Sequence, residues 1–215
     1  MHISQLPIKG YNDQPVPNTF LSHEQASDHA AIFLPGDGYT CDMPLLYYSS
    51  SELFSRGADA LKIAYSQHKN FSSLTSAEIG ECVVSDAEAA VRTLLQTHPY
   101  HKLTIVGKSR GTWAMGHLLT SGLPLPEQTR TIWLTPMLNR DLLRDQIARI
   151  QQHSLFVIGT SDPHYNPDVL HTIREHEHHK VITIEGANHG LEISGNVLQS
   201  IQIIERVIHA IQTFV

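Results

Sequence analysis

The chain has 215 residues and a mass of 24.0 kDa, enough for one domain over 1–215 with a sizeable core and too little for two. With 41% hydrophobic and 17% charged residues it is not a disordered chain, and a formal charge of −6 argues against nucleic acid as a main partner. No apolar run approaches a membrane span, the first fifteen residues lack a basic-then-apolar leader, and two cysteines in unrelated contexts fit a reduced compartment, so no membrane partner and a cytoplasmic location are expected.

The first thirty residues are polar and turn-rich and predict one or two short strands. From there apolar strands alternate with helical periodicity. "AAIFL" at 30–34 ends in the turn Pro35-Gly36-Asp37-Gly38, and a helical stretch at 43–56 leads to a strand at 60–66. After a largely polar loop at 66–75, the spacing of Ile79, Val83, Ala87, Ala90 and Leu94 predicts a helix over 76–97. Ser85 and Glu88 offer an internal start for it, as a capping-box pair. "KLTIV" is an apolar run of the kind buried on both faces of a parallel sheet, and a helix follows it in "TWAMGHLLTSG". Strands "TIWLT" and "SLFVIG" precede helices at about 138–151 and 167–178. "KVITIEG" precedes a last helix with a stripe of Val197, Ile201, Ile204, Ile208, Ile211 and Val215. The alternation predicts an α/β fold, a mostly parallel sheet covered on both faces, with function at the strands' carboxyl ends.

Residues 104–112, "TIVGKSRGT", carry two motifs at once. Gly107-Lys108-Ser109 resembles the end of a phosphate-binding loop, whose backbone N–H groups must wrap the phosphates before the helix starts. That loop needs a glycine at 102, where Lys102 stands, and residues 103–106 form a strand instead. A nucleotide-binding reading therefore fails. Gly107-Lys108-Ser109-Arg110-Gly111 is also G-x-S-x-G, which a serine nucleophile needs between a buried strand and a helix, because its strained turn demands small flanking residues.

A serine hydroxyl needs a base and an orienting acid, expected in the chain order Ser, Asp/Glu, His. Asp162 follows the strand "SLFVIG" and His189 follows "KVITIEG", each just past a carboxyl end. Asp141 is the alternative acid. Asp168 fits the first turn of a helix, and His117 lies inside one. His164 is too near Asp162 to be its base but can line a pocket. One oxyanion donor should be the N–H of Arg110 and the other that of Asp37, with Gly38 next in line and the Asp37 carboxylate turned away.

The set "LPGDG", "VGKSRG", "GTSDP" and "GANHG" resembles the α/β-hydrolase superfamily, particularly its small lidless esterase and dienelactone-hydrolase-like members, over about residues 30–215. The resemblance implies Ser109 as nucleophile, His189 as base, Asp162 as acid and no cofactor. The chain departs from many relatives at Pro35, where they carry histidine, and at Thr112, where they carry a smaller residue. The expected activity is hydrolysis of a carboxylic ester or related acyl bond through an acyl-enzyme, and the rival is a non-catalytic binding module on the same fold. Lys108 and Arg110 are expected as solvated or sheet-edge charges, or else as partners of an anionic acyl group. The histidine-rich run at 174–180 lacks a second distant ligand set, so no metal is expected, and Cys41 and Cys82 are expected to be structural. Only residues 136–139 separate "TIWLT" from the next helix, too few for a lid, which implies a small substrate and no gain from long acyl chains.

Overall fold

The computed structural model describes residues 1–65 and 71–215. Its strands are β1 (His2–Ser4), β2 (Asn18–Ser22), β3 (His29–Leu34), β4 (Asp59–Ile63), β5 (Lys102–Lys108), β6 (Gln128–Leu134), β7 (His153–Gly159) and β8 (His179–Ile184). Its helices are α1 (Pro44–Ser55), α2 (Ser76–Thr97), α3 (Arg110–Thr120), α4 (Asp141–Ile147), α5 (Pro167–Arg174) and α6 (Val197–Phe214). One sheet holds the strands in the order β1-β2-β4-β3-β5-β6-β7-β8. β2 runs antiparallel to β1 and β4, and the other pairings are parallel. This is the expected α/β architecture. No helix among the described residues is long and apolar enough to cross a membrane.

Burial on both faces explains the unbroken apolar strands. In β7, Phe156 and Ile158 enter the core under α2 to α5, while Leu155 and Val157 enter the core under α1 and α6. Trp133 and Phe156 stack across β6 and β7 with ring centroids 5.3 Å apart. The two cysteines are free and buried, as befits structural residues.

Local signals fixed most helix starts. Thr75 caps α2 through a reciprocal pair, Glu78 N–H to Thr75 Oγ1 at 3.3 Å and Thr75 N–H to Glu78 Oε2 at 2.8 Å. The internal start at Ser85 is therefore not used. The helix expected at 138–151 shrinks to Asp141–Ile147. Leu138 and Ile150 lie outside it yet are buried, so residues of loop and turn supplied part of the apparent period. α5 ends at Arg174, because beyond Ile173 the run "EHEHH" has no apolar side to bury.

The stripe expected on α6 is displaced. Val197 and Ile201 are 73% and 55% exposed, and the buried face is Ile203, Val207, Ala210 and Ile211. The helix is apolar on more than one side, so period alone did not select the face. Position 66, expected as a strand end, and 66–70 of the polar loop lie outside the described residues.

Candidate active site

β3 is flanked by β4 on one side and β5 on the other, so the chain direction across the sheet reverses there. A crevice opens at such a point between the carboxyl ends of the strands. Gly36, just after β3, faces Ser109, just after β5: a Cβ on Gly36 would lie 2.9 Å from that of Ser109. Ser109 has φ 52° and ψ −115°, a strained conformation for a residue with a side chain. The strain is held from several sides. Ser109 N–H donates to Leu134 O at 3.0 Å, and Thr112 Oγ1 donates to Ser109 O at 2.5 Å. Thr112 thus tightens the turn. Gly111 cannot carry a side chain, since its Cβ would sit 1.9 Å from Leu34 O.

The structure brings Ser109, His189 and Asp162 into one hydrogen-bonded line. His189 Nε2 is 2.8 Å from Ser109 Oγ, and His189 Nδ1 is 2.8 Å from Asp162 Oδ2. A carboxylate only accepts, so the imidazole proton sits on Nδ1 and the Nε2 lone pair meets the serine hydroxyl. The Asp162 side chain is fully buried, and its other oxygen accepts the His164 backbone N–H at 2.8 Å. The alternative acid, Asp141, is exposed in the first turn of α4 and pairs with Arg144. Asp168 lies in the first turn of α5, as its spacing implied.

His164 lines the site. Its ring meets that of His189 edge-on, with centroids 5.1 Å apart, and its Nδ1 donates to Asn139 Oδ1 at 2.8 Å. Burial lowers its pKa, with the charges of His189, Arg140 and Lys108 acting the same way and Asp162 opposing them. Among the described residues, Asp162, His164 and His189 are the group whose ligand atoms lie close enough together, within 4.8 Å, to bracket a metal ion. Both ring nitrogens of His189 are already engaged, so the arrangement fits proton transfer better than coordination.

Asp37 and Gly38 form the middle of a turn closed by Tyr39 N–H to Gly36 O at 3.4 Å. Arg110 opens α3, where a backbone N–H has no acceptor within the helix. The two residues are joined through their side chains: Arg110 Nε lies 2.6 Å from both Asp37 carboxylate oxygens. The carboxylate is thereby turned onto a guanidinium and its charge offset.

Lys108 contradicts the expectation of a solvated or edge charge. It is 1% exposed, and its Nζ donates to Thr135 Oγ1 and to His189 O, both at 3.0 Å. Its ammonium also sits 4.5 Å from the Tyr39 ring centroid. Burial pulls its pKa from 10.5 down to about 8, against the raising influence of Asp162 and Glu192. So placed, Lys108 cannot meet an anionic acyl group. Sequence reasoning also missed Thr135, which has φ 47° and accepts from this lysine. Its available signal was position, directly after β6 at the functional end of the sheet.

No protein-family model and no curated protein matches the chain. Solved structures do. A lidless α/β serine hydrolase from Xanthomonas campestris matches with a TM-score of 0.73 at 15% identity, over 99% of this chain and 95% of the other. A Pyrococcus furiosus esterase matches with 0.73 at 12%, over 99% and 91%. Est1E from Butyrivibrio proteoclasticus, solved with ferulic acid bound, matches with 0.75 at 11%, over 98% and 99%. Residues 135–140 join β6 directly to α4, leaving no insertion there that could act as a cover. The likeness at these identities is one of fold, and by sheet order, helix placement and structural match the chain has the α/β-hydrolase fold in its lidless form.

Proposed function

We propose that the protein is a serine hydrolase that cleaves the carboxylic ester, or a related acyl bond, of a small substrate. His189 Nε2 takes the proton of Ser109 as Oγ attacks the acyl carbon, and Asp162 orients the ring and balances the imidazolium. The oxyanion of the tetrahedral intermediate is met by the N–H groups of Arg110 and Asp37. Collapse of the intermediate passes the His189 proton to the leaving alcohol and leaves an ester on Ser109. Water, activated by the same imidazole, then releases the acid. No cofactor enters these steps.

The observation that carries this reading is the pair of 2.8 Å contacts linking Asp162, His189 and Ser109. The strained backbone of Ser109 supports it, since strain of this kind is retained where the surrounding structure enforces it for a purpose. The test is labelling by an alkyl fluorophosphonate beside turnover of p-nitrophenyl acetate. Labelling and turnover that disappear together in Ser109→Ala are expected. A folded wild-type protein that neither labels nor turns over would return the reading to a binding module.

A further inference from the structure

Where α2 packs on α3, part of the two facing surfaces stands apart. On α2 the face is Ala77, Gly80 and Val84; on α3 it is Arg110, Trp113 and His117. Residues at such spacings ordinarily interlock when helices pack. Here they border a cleft of about 520 Å³, which Met137 and Arg140 also line. That volume lies within the range of sites for small organic ligands. The cleft is bordered on the elbow side by Arg110, the residue after Ser109, whose N–H is a proposed oxyanion donor. The charge of Arg140 reaches the His164 ring packed on His189.

Gly80 shows that the space is kept open. Glycine inside a helix is destabilising relative to alanine, so its presence needs a reason. Its φ is not positive and no close approach forbids a side chain; a Cβ would meet only Trp113 Nε1, at 3.9 Å. A longer side chain at position 80 would project into the cleft. Nothing in the packing requires the glycine, which borders the open cleft.

The lining specifies the occupant. Trp113 and Met137 are half-buried and offer an indole and a thioether, both of which favour contact with an aromatic ring. Trp113 Nε1–H has no acceptor among the described residues. His117 Nδ1 donates to Trp113 O at 3.0 Å, so its Nε2 is left as an acceptor in the neutral ring. The cleft therefore carries an apolar body in which Trp113 Nε1 offers a donor and His117 Nε2 an acceptor. Its charges occur in both signs: Arg110 is paired with Asp37, and the exposed Arg140 and Glu81 both lie along the lining.

We infer that the cleft between α2 and α3 is the subsite for one half of the ester, and that it selects a neutral aromatic ring bearing an oxygen substituent. The inference rests on Ser109 being the nucleophile. It adds a substrate class, aromatic esters, to a site that the missing lid alone would mark for short chains.

The test compares esters matched in leaving-group and acyl reactivity. On the acyl side these are methyl 3-(4-methoxyphenyl)propanoate and methyl 3-cyclohexylpropanoate; on the alcohol side, 4-methoxybenzyl acetate and cyclohexylmethyl acetate. In at least one pair the aromatic member should be favoured in kcat/KM by about tenfold. Gly80→Leu should remove that preference by lowering the aromatic member to the rate of its cyclohexyl partner, while far-UV circular dichroism stays that of the wild type. Gly80→Ala, which adds only the tolerated Cβ, should keep the preference and melt at a higher temperature, showing that the position accepts substitution. Equal rates within both pairs, or a preference that survives Gly80→Leu, would overturn the assignment. If the wild-type protein does not label at all, the cleft is still read separately. The non-hydrolysable ketone 4-(4-methoxyphenyl)butan-2-one should quench the fluorescence of Trp113, and an absent quench, or one retained in Trp113→Phe, would remove the subsite by itself.

Discussion

Lys108 Nζ donates to the carbonyl oxygen of His189 at 3.0 Å, so the residue before the proposed nucleophile holds the backbone of the proposed base. The same ammonium donates to Thr135 after β6. One buried cation thus ties together the loops after β5, β6 and β8. Three non-glycine residues of these loops, Ser109, Thr135 and Leu191, have positive φ, and the lysine lies among the groups that keep them there.

Replacing Lys108 by methionine fills the space and removes both donors. The His189 loop should lose its fixed position, and a displacement of about 1 Å is enough to lower turnover by up to ~10²-fold. Ester turnover should fall while far-UV circular dichroism stays unchanged. A variant with wild-type kcat would show that the loop holds its place without the lysine.

The same residue makes a signed prediction about pH and stability. The folded pKa, about 8, lies below the ordinary 10.5, so between these values the unfolded chain holds a proton that the folded one has released. Stability from this group is therefore present above 10.5 and lost as pH falls through 8. The shift corresponds to roughly 3 kcal/mol. Wild type should gain most of that relative to Lys108→Met between pH 7 and pH 10, read from urea unfolding of both proteins at each pH. A difference that does not change with pH would mean that the ammonium is solvated.

Asp162→Asn should preserve the fold and lower kcat by up to ~10⁴-fold, because an amide cannot hold the tautomer that leaves Nε2 free to accept. Asp141→Asn should leave kcat near wild type, since Asp141 is exposed and bound to Arg144. The two variants assayed together separate the candidate acids, and the opposite pattern would transfer the role.

Asp37 and Arg110, the proposed oxyanion donors, bind each other by side chain. The pair is partly exposed, so it should add no more than about 1 kcal/mol to stability. Asp37→Asn should nonetheless lower kcat by about tenfold, as the loop after β3 loses its tie to the elbow. Added salt should weaken wild-type turnover more than that of the variant. Equal salt responses would show that the ion pair does not position the loop.

Gly111→Ala should be the most damaging change to the fold at the elbow. Its Cβ would fall 1.9 Å from the Leu34 carbonyl, which is backbone and cannot turn aside. Overpacking of this kind costs about 1–3 kcal/mol or more. A wild-type melting temperature for this variant would mean that β3 and α3 lie farther apart than described.

The sequence by itself determined the α/β class, the inner strands and the chain order of Ser109, Asp162 and His189. Those signals are local: an apolar run buried on both faces reads as a strand wherever it occurs, and the residue after it is carried to the functional end. Tertiary structure decided what local pattern leaves degenerate. α6 is apolar on more than one side, and only contact with α1 and the sheet chose Ile203, Val207 and Ile211 over Val197 and Ile201. Gly80 carries no signal of its own in the sequence, and only α3 laid across from it makes it part of a cleft. The fate of Lys108 is the sharpest case. A lysine is solvated unless acceptors and opposite charges surround it, and its acceptors here lie 27 and 81 residues away in the chain, so burial of that charge could be read only once the fold had brought them together.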